Sequence, residues 1–231
     1  MLTLDHVQIR QDDFALSANW SVPDSARVAI VGPSGAGKST LLLAIAGFVP
    51  LAGGRIFWAG ENLAKLAPGD RPLSILFQDQ NLFPHLTIDQ NLGLALDPRL
   101  RLSPDQHRQI ALALERVGLS GMGARKPGAL SGGQQGRAAL ARALLRAKPL
   151  LLLDEPFAAL GPALKAEMLD LVAEVATTLS ATVLLVTHDP ADAKHFADKT
   201  VLVADNVADA PAPTQALFKT PPPALKAYLG T

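Results

Sequence analysis

Short apolar runs punctuate the chain and set its periodicity. Arg27-Val28-Ala29-Ile30-Val31 runs into Gly32 and Pro33, Leu150-Leu151-Leu152-Leu153 ends in Asp154-Glu155-Pro156, and Val183-Leu184-Leu185-Val186 ends in Thr187-His188-Asp189. Thr200-Val201-Leu202-Val203 reads as a late strand. Continuous apolar runs bounded by turn formers predict strands buried on both faces, as in a parallel sheet with functional groups at the strands' carboxyl ends. Helical patterns lie between them. Lys38 to Ala46 is a good helix sequence stopped at Gly47, Pro104 to Val117 is helix-like, and Ser131 is a good N-cap for an Ala-, Leu- and Arg-rich stretch from Gln135 to Ala147. Strand signals are weak from about residue 79 to 129, and a mainly helical subdomain is expected over about 79–145 inside a single α/β domain spanning 1–231.

Composition narrows the function classes. The chain has 231 residues, 48% hydrophobic, enough for one compact core. Lys plus Arg total 21 and Asp plus Glu total 21, so no excess positive charge exists to neutralise a nucleic-acid backbone, and nucleic acid is not expected as a partner. Without cysteine, disulfides, thiolate metal sites and cysteine nucleophiles are excluded. The opening Met1-Leu2-Thr3-Leu4-Asp5-His6 lacks the pattern of a secretory signal, and no stretch reaches the ~18 apolar residues of a spanning helix. A cytoplasmic protein that serves any membrane from its side is expected.

Gly32-Pro33-Ser34-Gly35-Ala36-Gly37-Lys38-Ser39 fits the phosphate-loop pattern G-x4-G-K-[ST] between a strand and a helix. Its glycines let amide N–H groups curl inward, and the following helix, with Thr40 in its first turn, adds its positive end. Polyphosphate is the natural ligand: Lys38 would sit between the β- and γ-phosphates and the Ser39 hydroxyl on Mg²⁺. Asp154 and Glu155 place two carboxylates at a strand end, the first suited to hold Mg²⁺, the second to polarise an attacking water. An Asp-Glu pair there is, by itself, more often a solvated turn; the phosphate loop upstream reverses that. Leu130-Ser131-Gly132-Gly133-Gln134 reads either as a flexible turn capping a helix or as an anion-binding cap. No G-x-S-x-G elbow is present, and His6, His85, His107 and His195 lie at no ligand-like spacing.

Phosphate loop, Ser131–Gln134 segment and Asp-Glu strand end together resemble the ATP-binding subunits of ABC transporters, with the P-loop NTPase core and inserted helical subdomain of that architecture. The resemblance implies ATP and Mg²⁺ as ligands. It places Gln78, in Leu76-Phe77-Gln78-Asp79, on Mg²⁺ and the attacking water, and His188 on the γ-phosphate. It also implies that Ser131, Gly132, Gly133 and Gln134 reach the γ-phosphate held by a second copy, so that a homodimer forms at hydrolysis. The likeness is greatest to small importer ATPases, through Leu76-Phe77-Gln78, Asn81-Leu82-Phe83, His85-Leu86-Thr87, Gln90-Asn91-Leu92-Gly93 and Leu96-Asp97-Pro98, and among them to those that import thiamine. Polyamine, iron or sulfate are alternative cargoes, and a soluble non-transport ABC ATPase is a further alternative that the single neutral cassette disfavours. Integral permease subunits, with a periplasmic solute-binding protein beyond them, are the implied partners. The implied place is the cytoplasmic face of the inner membrane, where apolar Leu82, Phe83 and Leu86 would meet a short cytoplasmic helix of the permease or else pack inward.

The pattern departs from the family in places. Gly161 stands where the family usually has Asp before Pro162, which puts coupling between the two sites of a dimer in doubt. Gly136 follows Gln135 in the helix after Ser131 and is expected to loosen its first turn by about 1 kcal/mol relative to Ala. No aromatic residue occupies the positions around Arg10 and Gln11, leaving Phe14, which reads equally as a core residue, or the Arg10 guanidinium as candidates to stack on adenine.

Overall fold

The computed structural model describes residues 1–77, 82–158 and 160–230. It begins with β1 (Leu2–Gln11), β2 (Phe14–Val22), β3 (Arg27–Val31) and α1 (Lys38–Ala46), then β4 (Gly53–Trp58), β5 (Glu61–Asn62) and β6 (Leu73–Leu76). Helices α2 (Ile88–Gly93), α3 (Pro104–Arg116) and α4 (Gly132–Arg146) follow, then β7 (Leu150–Asp154), α5 (Pro162–Leu179), β8 (Thr182–Val186), α6 (Pro190–Phe196) and β9 (Lys199–Ala204). After these come β10 (Val207–Ala208), β11 (Ala212–Pro213), α7 (Thr214–Lys219) and α8 (Pro223–Leu229).

The strands form one sheet in the order β5-β4-β1-β2-β10-β9-β3-β8-β7-β6, with β11 beside β9. From β9 to β6 the pairing is parallel. Of these, β3, β7, β8 and β9 are the continuous apolar runs, whereas β6, with the buried Ser74 inside it, is not among them; β8 is buried along its whole length. Because strand side chains alternate, Leu151 and Leu153 pack on the side of α2–α5 while Leu150 and Leu152 pack toward α1. The antiparallel arm β5-β4-β1-β2 is not foreseen by the sequence reading; β2 alternates buried and exposed residues, the mark of a sheet solvated on one face.

Helices α2, α3 and α4 lie between β6 and β7, and each begins with a reciprocal capping box: Thr87 with Gln90, Ser103 with Gln106, Ser131 with Gln134. Gly136 is buried within α4. Ile30 and Asp154 both register with Val186, so the carboxyl ends of β3, β7 and β8 share one edge of the sheet. Among the described residues no helix is long and apolar enough to cross a membrane.

Candidate nucleotide site

The loop 32–37 leaves β3 at that edge. Gly32 has φ +150°, and a Cβ there would lie 2.0 Å from the Val203 carbonyl oxygen, so only glycine lets the loop pass β9. Gly37, the residue before α1, has φ +99° and packs against the Phe14 ring, where a Cβ would come within 2.3 Å of Cζ. Ala36 closes the turn with its N–H on the Pro33 carbonyl at 3.2 Å. Pro33, Ser34 and Gly35 are exposed, and Thr40 is half-buried in the first turn of α1. Lys38 is buried and its Nζ donates to the carbonyls of Gly32 at 2.9 Å and Pro33 at 2.8 Å. Burial draws its pKa below the usual lysine value, opposed by the charges of Glu155 and Asp154.

Ser39 Oγ donates to Asp154 Oδ1 at 2.9 Å. Desolvation raises the Asp154 pKa, and the neighbouring Glu155 adds to the rise against the Ser39 hydrogen bond. Glu155 holds the sparsely populated left-handed conformation at φ +44°, and its N–H donates to the Val186 carbonyl at 3.1 Å. That conformation turns its carboxylate to His188, whose Nδ1 lies 3.0 Å from Glu155 Oε2. Thus Lys38, Ser39, Asp154, Glu155 and His188, drawn from three strand ends, gather in one place.

Residues the sequence reading passed over hold His188 from behind. Lys165 of α5 pairs with Asp189 at 3.2 Å and with the buried Asp192 at 2.8 Å. Thr187 Oγ1 donates to Asp192 and accepts from the Asp189 N–H at 3.1 Å. The two carboxylates raise the Lys165 pKa against the opposing effect of burial. The Tyr228 hydroxyl, from α8, donates to the His188 carbonyl. None of these partners is close in sequence to Lys165 or Tyr228, which is why periodicity and motifs give no sign of them.

The other candidate residues are elsewhere or outside the description. Gln78 lies outside the described residues, as do positions 79–81. Ser131, Gly132, Gly133 and Gln134 form the start of α4; Ser131 and Gly132 are exposed, and Gly133 packs on Leu164 of α5. Phe14 is committed to packing beneath Gly37, in line with its reading as core, whereas Arg10 and Gln11 are exposed at the end of β1. Gly161 precedes α5 without a side-chain cap. His6, His85, His107 and His195 are exposed.

A phosphate loop at the head of a parallel core, facing two strand-end carboxylates and a histidine, defines a nucleotide-hydrolysing cassette. The chain belongs to the ABC transporter family, which its residues 16–158 match. It is 66% identical over 230 residues to the thiamine import ATP-binding protein ThiQ of Cereibacter sphaeroides and 56% identical to that of Ruegeria sp., each alignment covering 100% of both chains. Among solved structures it resembles the ATP-binding cassette MJ0796 in a dimeric post-hydrolysis state bound to ADP and Pi, with 29% identity, a TM-score of 0.79, and coverage of 93% of this chain and 99% of that one.

Proposed function

We propose that this chain is the ATPase of a thiamine importer, working as a homodimer on the cytoplasmic face of the inner membrane beneath separate permease subunits fed by a periplasmic binding protein. Residues 32–40 would wrap the phosphates with inward amide groups, the α1 dipole and the Lys38 charge. Ser39 and Asp154 offer two hard oxygen donors side by side, and no cluster of three His, Asp or Glu fit to hold a metal occurs among the described residues. That is a fit for Mg²⁺, which takes few protein ligands and completes its shell with phosphate and water. Bound there, Mg²⁺ would neutralise charge on the β- and γ-phosphate oxygens.

Glu155 would accept a proton from the attacking water as its oxygen bonds to the γ-phosphorus and the bond to ADP breaks, yielding ADP and phosphate. His188 would orient the Glu155 carboxylate through Nδ1 and face the γ-phosphate with its other nitrogen. Ser131, Gly132, Gly133 and Gln134 would complete the site of the partner copy, and Gln78 would sense the metal and the water. The helices between β6 and β7 would form the subdomain that carries this segment.

The pairing of Glu155 with His188 beside Lys38 and Asp154 carries the ATPase reading, and full-length likeness to thiamine import subunits carries the cargo. The test is uptake of labelled thiamine by cells carrying the intact chain or Glu155→Gln. Uptake is expected to be lost in the variant. Equal uptake in both strains discards thiamine as cargo, and the same pair is then tried with polyamine and iron.

A further inference from the structure

We propose that Tyr228, on α8, is a positioning residue for His188. The peptide unit joining residues 188 and 189 is held at both poles: its carbonyl accepts from the Tyr228 hydroxyl and its N–H donates to Thr187 Oγ1 at 3.1 Å. A peptide unit is planar, so fixing both poles restrains the backbone torsion after the His188 Cα and with it the direction from which Cβ carries the ring. The ring in question has Nδ1 3.0 Å from Glu155 Oε2.

Helix α8 is suited to hold this contact. Seven residues make a helix too short to persist alone in water, so its shape depends on docking. Leu225 is fully buried, and Tyr228 and Leu229, three and four positions further along, lie on the same face and pack on the same core. The Tyr228 ring therefore arrives at His188 on a seated element. Burial, together with the negative charges of Asp189, Glu155 and Asp192, raises the Tyr228 pKa, so the hydroxyl keeps its proton and remains a donor at neutral pH. On the far side, the ion pairs of Lys165 with Asp189 and Asp192 anchor the start of α6, so Tyr228 sets the 188–189 peptide unit against a fixed support.

This inference rests on the proposed roles of Glu155 and His188 in ATP hydrolysis. Tyr228→Phe keeps the packing ring and removes the donor. In steady-state ATP hydrolysis by the purified full chain, kcat is expected to fall about three- to tenfold, the range of one net hydrogen bond, with KM for ATP unchanged. In a His188→Ala background the same substitution is expected to have no further effect. An unchanged kcat, a change confined to KM, or an equal loss with and without His188 overturns the role of Tyr228. Glu155→Gln serves as the control: hydrolysis that survives in it overturns the site assignment itself, whereas hydrolysis lost in Glu155→Gln but intact in Tyr228→Phe overturns only the present inference.

Discussion

Asp189 illustrates how one carboxylate beside the site is tied to stability. It caps α6 by accepting from the Ala191 N–H at 2.9 Å and pairs with Lys165. The Ala191 hydrogen bond first, then Lys165, hold its pKa below the ordinary value of 3.8. A depressed native pKa means that the ionised form contributes stability above the unfolded value, and the contribution is lost as pH falls through the native value. Its side chain is 41% exposed, so water screens the charge and the contribution is about 0.5 kcal/mol. Asp189→Asn keeps a capping acceptor and removes the charge. Denaturant unfolding at neutral pH is expected to find the variant less stable by roughly that amount, with the two curves converging once pH falls well below 3.8; a gap that persists in acid would assign the loss to geometry rather than charge.

At the scale of elements, continuous apolar runs made the parallel core legible, because strands buried on both faces leave no room for polar positions. Asp154 and Glu155 stand out as the polar residues that end such a run and the phosphate loop by its motif, whereas His188 is singled out only by the family resemblance. The antiparallel arm was not legible, since β5 is two residues long and the alternation of β1 is broken between Leu4 and Val7. Nor was Arg71, whose value lies in distant partners. It is buried in the loop before β6, and its guanidinium donates to Ile45 at 2.6 Å and Ala44 at 3.2 Å, the last carbonyls of α1. A cation at a helix C-terminus satisfies orphan carbonyls and complements the dipole. Burial lowers its pKa, with no carboxylate among the described residues as an opposing cause. Arg71→Met keeps most of the volume and leaves the Ile45 carbonyl unmet, while that of Ala44 keeps the Gly47 N–H at 3.1 Å. It is expected to cost about 2–3 kcal/mol, read as a lower urea midpoint at unchanged slope. A shift under 0.5 kcal/mol would mean that water replaces the guanidinium there.

At the scale of the whole molecule, the proposed function has the groups at the sheet edge and the segment at the head of α4 serve one reaction only when two copies meet. Ser131 and Gly132 are exposed, and the Glu155–His188 pair joins β7 to β8 rather than to α4. In the proposed arrangement, ATP lies between the phosphate loop of one copy and the Ser131–Gln134 segment of the other, so nucleotide is part of the interface and binding it favours association by mass action. Charge does not stand in the way. With 21 basic and 21 acidic residues, two copies carry no net repulsion, and association should depend little on salt. In that arrangement hydrolysis would remove the γ-phosphate shared by both copies, so a chain that binds ATP without cleaving it should accumulate as the pair. Glu155→Gln removes the proton acceptor while leaving Lys38, Ser39 and Asp154 in place. With saturating Mg-ATP, light scattering is expected to report twice the 24.2 kDa of one chain for this variant, and one chain mass without nucleotide. Persistence of the single-chain mass at saturating Mg-ATP would contradict the shared site, and Gly161, standing where Asp usually precedes Pro162 at the start of α5, would be the first position to restore.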